Sequence, residues 1–156
     1  MIYVFDTSSL RVLGSYFPAR FPTFWQRFEA AIEAGEIRSV REVYNELERQ
    51  SARAWLKEWA KEHRPLFAPP GPEETAFVAK IFAVAHFRTL VGQRQRLLGQ
   101  PVADPFLVAA AKVFDGCVVS EEERRPHAAK VPNVCDHFGI ECTNVEGFLG
   151  QNGWTF

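Results

Sequence analysis

Long apolar runs, paired cysteines and an excess of one charge are all missing from this chain of 156 residues. No stretch approaches the roughly 20 consecutive apolar residues that span a bilayer, so no membrane segment is expected. The start, Met1-Ile2-Tyr3-Val4-Phe5-Asp6, has no basic leader and reaches an acid too early for a signal peptide. Cys117, Cys135 and Cys142 are odd in number and form no CxxC. They argue against a disulfide framework and for a reducing, cytoplasmic setting. A net charge of −1 provides no global field toward nucleic acid or an anionic membrane, which leaves such attraction to local patches. No GxSxG is present, and no histidine is well placed to activate Ser8 or a cysteine, which disfavours a protein nucleophile.

What is present suits one globular domain, residues 1–156: 47% of residues are hydrophobic and the length supports one real core. Short runs of strand formers predict strands at Ile2–Phe5, Ile37–Val40, Cys117–Val119 and Ile140–Thr143. Helical spacing fills the intervals: a turn within Leu10–Phe17, helices from Pro22 to about Ala34, from Arg41, over Ala52–Glu62, Glu73–Phe87 and Arg88–Leu98, then Phe106–Phe114, Asn133–Phe138 and Val145–Leu149. Arg64–Pro72, with four prolines and a glycine, reads as a loop. Strands separated by helices imply right-handed crossovers, hence an α/β fold: a central parallel sheet of about four strands with helices on both faces.

Acids recur where this pattern changes. Asp6 follows the first strand, at the carboxyl edge where open α/β sheets bind ligands. Glu46 lies on the helix after the second strand. Asp104-Pro105 opens an alanine-rich helix, and Glu121-Glu122 follows the third strand. Each has a plainer reading alone: Asp104 as a helix cap, Glu46 on a solvated face, the Glu121–Arg125 run as an exposed loop. The case rests on the set. Two carboxylates about 5 Å apart repel by roughly 3 kcal/mol at an effective dielectric near 20. Several together protonate or recruit a cation, and an all-oxygen cage with vacancies suits Mg²⁺ or Mn²⁺ and hydrolysis at phosphorus.

Four segments carry a family resemblance across essentially the whole chain. They are Tyr3-Val4-Phe5-Asp6-Thr7-Ser8-Ser9-Leu10, Val43-Tyr44-Asn45-Glu46-Leu47, Ala103-Asp104-Pro105 with the alanine-rich run to Ala111, and Val118-Val119-Ser120-Glu121-Glu122. In order and spacing the chain resembles the PIN-domain ribonucleases, more narrowly the VapC-like toxins of prokaryotic toxin–antitoxin pairs, and its C-terminal part a little-characterised PIN-like branch. At the fourth motif it has Ser where the family usually has Thr, and two glutamates for one aspartate. The resemblance implies a metal-dependent endoribonuclease cutting single-stranded or looped RNA, tRNA included, a cognate antitoxin as partner, and a homodimer. It implies Asp6 and Asp104 as principal Mg²⁺ or Mn²⁺ ligands. Glu46 would bind directly or through water, and Glu122, with Glu121 as substitute, would complete the cage.

Between Glu74 and Asp104 there is no acid, while Lys80, His86, Arg88, Arg94 and Arg96 accumulate. Arg88, Arg94 and Arg96 are candidate phosphate contacts, with a solvated helix face as the equal alternative. Ser8 and Ser120 are candidates to hold substrate-side water or a carboxylate, or to form plain turns. Cys135, His137 and Cys142 fit no common zinc spacing. Four tryptophans and 14 phenylalanines fall largely at core spacings. The competing reading is a catalytically silent PIN-like module that binds RNA or protein. A haloacid-dehalogenase-like phosphatase is disfavoured, because Ser8 stands where that chemistry needs a second aspartate.

Overall fold

Tyr3–Phe5 forms β1, and all three side chains are buried, as in a strand covered on both faces. The computed structural model describes residues 1–90 and 103–156. Strands β1, β2 (Ile37–Val40), β3 (Phe67–Ala68), β4 (Cys117–Val119) and β5 (Glu141–Thr143) form one sheet of order β3-β2-β1-β4-β5. Every pair is parallel; Tyr3 aligns with Ile37 on one side and Cys117 on the other. The α/β architecture with a parallel sheet is therefore as expected, with five strands for about four. The additional one, β3, lies within the proline-rich stretch expected to be a loop. Only two residues long, it pairs with Ser39 and Val40 at the sheet edge, where its flanking prolines cost no ladder bond.

The chain works outward from β1 to β3, then returns across the centre to β4 and β5. The direction of winding reverses between β1 and β4, and open sheets form a ligand crevice at such a point, beyond the strand carboxyl ends. Asp6 and Ser120 are the first residues after those two strands.

The helices cover the sheet. They are α1 (Thr7–Leu13), α2 (Pro22–Glu33), α3 (Arg41–Arg49), α4 (Ala54–Glu62), α5 (Pro72–Ala83), α6 (Ala103–Val113), α7 (Val131–Phe138) and α8 (Val145–Gln151). On one face Phe5 meets the rings of Phe28 (α2) and Phe148 (α8) edge-on at 5.3 and 5.1 Å. Such pairs add about 0.5–1.5 kcal/mol beyond burial. The opposite face takes α6, whose alanine run Ala109–Ala111 is buried and packs close against β1, β2 and β4.

Several boundaries differ from expectation. Helix α1 starts at Thr7 rather than Leu10, because the Asp6 side chain caps it. Helix α5 ends at Ala83 and a 3₁₀ segment, Ala85–Leu90, follows. The Arg88 Nε donates to the Phe82 carbonyl at 2.9 Å, near that helix end. Most of the expected helix over Arg88–Leu98 lies outside the described residues. Among the described residues no helix is long and apolar enough to cross a membrane.

Candidate functional site

Asp6 is buried at the end of β1, yet carries a carboxylate. Its Oδ1 accepts the Ser9 N–H at 2.7 Å, which caps α1, and the Ser8 hydroxyl donates to the same carboxylate at 2.8 Å. Burial raises the Asp6 pKa and outweighs those bonds. Ser8 Oγ also accepts the Glu121 N–H at 3.0 Å. A single hydroxyl thus ties the loop after β4 to the acid after β1.

Glu46 arrives from the second half of α3. Its two oxygens each stand 3.5 Å from Thr7 Oγ1, and the Ala103 N–H at the start of α6 also bonds to it. Burial, then the negative charge of Asp6, pushes its pKa up to about 7, against the pull of Arg49. Asp104, in the first turn of α6, is raised well above the ordinary carboxylate range. The causes are burial first, then Glu122, Glu46 and Asp6, with Lys130 opposing. Glu122 Oε2 accepts the Val131 N–H at 2.8 Å and so caps α7.

Asp6, Glu46, Asp104 and Glu122, each from a different segment, line one cavity of about 260 Å³ together with Thr7 and Ser8. All four face this one cavity. Glu121 does not join them: its Oε1 accepts the Val145 N–H at 2.8 Å, at the start of α8. Adjacent residues after an extended strand point to opposite sides, so only one of the two glutamates reaches the cavity. Ser120 is buried and is absent from the cavity lining; its hydroxyl accepts the Glu122 N–H at 3.1 Å and also bonds to the Asp6 carboxylate, which it helps Ser8 and Ser9 to hold. Exposed Arg88 does not line it either, and Arg94 and Arg96 lie outside the described residues.

Three lining residues lie outside the segments singled out from the sequence: Arg11, Gln50 and Leu90. Arg11 and Gln50 border the cavity, with an Arg11 guanidinium N–H donating to Gln50 Oε1 at 3.3 Å. Arg11 is four residues from Thr7, and Gln50 four from Glu46, so each shares a helical face with a site residue. Starting the first helix at Leu10 hid that spacing.

The acids converge without closing. Among the described residues, no three His, Cys, Asp or Glu side chains stand close enough to grip a single ion. In donor chemistry the residues still fit a hard divalent cation. They offer carboxylate oxygens alone, and among the described residues Asp6 and Asp104 make no ion pair. Lys130 near Asp104 and Arg49 near Glu46 offset the acids' mutual repulsion only in part. An open, water-accommodating set is the arrangement Mg²⁺ tolerates, since it retains several waters.

Fold and site together define a parallel-sheet α/β domain with an acid-lined cavity at its switch point. The chain belongs to the family described as a domain of unknown function (DUF4411), whose profile matches residues 3–156. Comparison with curated proteins gives no match.

Proposed function

We propose that the protein is a metal-dependent endoribonuclease of the PIN-like, VapC-like kind, hydrolysing phosphodiester bonds in single-stranded or looped RNA in the cytoplasm. The observation that carries this reading is the convergence of Asp6, Glu46, Asp104 and Glu122 on one cavity at the sheet's switch point. Asp6 and Asp104 would be the principal holders of Mg²⁺ or Mn²⁺, with Glu46 and Glu122 completing the set. When bound, such an ion acidifies water and offsets charge on the attacking and leaving oxygens. The chain's own groups have distinct tasks. Ser8 orients the Asp6 carboxylate. Glu46, with a pKa near neutrality, exchanges a proton at its carboxylate as charge in the cavity changes. Arg11, at the rim, offers a guanidinium to a backbone phosphate. A cognate antitoxin and a homodimer belong to the same proposal.

The variant Asp6→Asn tests it, since asparagine also caps helices well. Expected is loss of Mn²⁺-dependent RNA cleavage with an unchanged circular dichroism spectrum. Undiminished cleavage refutes the assignment. The open spacing of the acids favours one competing reading, a silent RNA- or protein-binding module. Titration calorimetry with Mn²⁺ separates the two: the nuclease binds the ion at millimolar strength or better through Asp6 and Asp104, and the silent module does not.

A further inference from the structure

A second cavity, of about 230 Å³, shares no described lining residue with the acidic one. The shortness of the edge strand creates it. β3 pairs only with Ser39 and Val40, so Ile37 and Arg38, at the start of β2, have Pro65 and Leu66 beside them in place of a strand. The two cavities sit at opposite ends of α6. Asp104 in its first turn lines the acidic one; Ala110, and Phe114 just past its last residue, line this one.

The walls are mostly apolar, with Ile32, Leu66, Ala110 and Phe114 among them, yet a cation and a carboxylate line the cavity too, Arg38 and Glu74. The Arg38 guanidinium lies over the Phe114 ring, 4.2 Å from its centroid. That contact fixes the group but leaves its Nε buried and without a hydrogen-bond partner. Glu74, in the first turn of α5, is buried and accepts the Gly71 N–H. Burial raises its pKa; the Gly71 bond and Arg38 oppose the rise, and nearby Glu42 adds to it. Glu42 is 1% exposed, with one oxygen on the Arg41 guanidinium at 2.9 Å and the other buried without a partner. Arg38 and Glu74 face the same space but make no ion pair with each other. A buried donor on a cation and a buried carboxylate across from it are groups that proteins rarely leave unmet.

The occupant that suits this lining carries both charges and an apolar body. An anion alone would answer Arg38 but stand against Glu74 and Glu42. A cation alone would answer Glu74 but face Arg38. An uncharged apolar molecule would strip water from both groups and replace it with nothing. The volume falls below the roughly 300–1,000 Å³ of pockets for drug-sized ligands, which restricts the occupant to one small molecule. We propose that this cavity binds an α-amino acid with an apolar side chain, as its zwitterion. The ligand carboxylate accepts charge-assisted hydrogen bonds from Arg38, its ammonium donates to Glu74, and its side chain packs against Ile32 and Leu66. The site stands independently of the nuclease reading.

Titration calorimetry on the full-length protein tests this, with L-valine, L-leucine and L-methionine as probes. Expected is saturable binding of at least one of them at a single site. The corresponding amine, which lacks the carboxylate, and the corresponding acid, which lacks the ammonium, should each bind about tenfold more weakly or worse. Arg38→Gln and Glu74→Gln should each weaken the amino acid by a similar factor. No saturable binding of any probe, an amine or acid that binds as tightly as its parent amino acid, or full affinity in either variant overturns the proposal. Should a variant fail to fold, the comparison of amino acid, amine and acid on the wild type decides alone.

Discussion

Ser8 serves two partners with one hydroxyl, donating to Asp6 and accepting from the Glu121 N–H. Ser8→Ala therefore takes one hydrogen bond from a buried carboxylate and leaves a loop N–H without its partner. The expected cost is about 1–3 kcal/mol, read as a lower urea midpoint at unchanged m-value. Loss of less than a few tenths would show that water replaces the hydroxyl and that Ser8 positions nothing. Glu46 gives a pH prediction for the metal-free protein. Its folded pKa, about 7, lies above its value of 4.5 as an ordinary glutamate. Below pH 4.5 both states hold the proton and the penalty is absent. Between 4.5 and 7 the unfolded chain loses the proton first, so stability falls as pH rises and levels off above 7. The difference corresponds to about 3 kcal/mol. Asp6 and Asp104 shift in the same direction and share the sign. Chemical unfolding from pH 4.5 to 8 should show this slope in wild type and a shallower one in Glu46→Gln.

At the scale of elements, the acids and the helix starts belong together. In a parallel sheet each strand's carboxyl end feeds a helix amino end, so unpaired N–H groups and their positive dipole ends gather at one edge. Asp6 bonds α1, Glu46 bonds α6, Glu122 bonds α7 and Glu121 bonds α8. Capping explains why carboxylates are tolerated there, and also why the sequence-distant acids were legible as one set: Asp6, Glu46 and Glu122 adjoin helices that follow β1, β2 and β4, and Asp104 opens α6. It does not separate Glu121 from Glu122, which differ only in the side of the chain they leave. Nor did sequence reveal β3, whose two residues are defined by partners 28 positions away, Ser39 and Val40, rather than by any local pattern. The capping picture predicts a split. Glu121→Ala and Glu122→Ala should each cost about 1 kcal/mol by freeing a helix N–H. Only Glu122→Ala should reduce the Mn²⁺-induced rise in melting temperature. Equal reductions would mean that Glu121 also reaches the cavity.

For the molecule as a whole, the switch-point cavity sets function against stability. The core is conventional: apolar strands covered on both faces, aromatic rings interlocked on one side, a close-packed alanine helix on the other. The cavity is not, because Asp104 is buried among Glu122, Glu46 and Asp6, and its pKa is raised by all of them. At pH 7 without metal, that arrangement opposes folding. Asp104→Asn keeps the side chain's shape and removes the charge. It also forfeits a favourable charge in the first turn of α6, worth about 0.3–1 kcal/mol. Relief from three like charges in a buried site exceeds that loss, so the metal-free variant should melt higher than wild type. Mn²⁺ should then invert the order. An ion at about 100 times its dissociation constant stabilises the wild type by about 2.7 kcal/mol, and the variant, lacking a principal ligand, should gain little. Thermal unfolding of both proteins, with and without Mn²⁺, measures all four values. A variant that melts lower without metal, or gains as much from Mn²⁺ as wild type does, would show that the carboxylates neither repel one another nor share an ion.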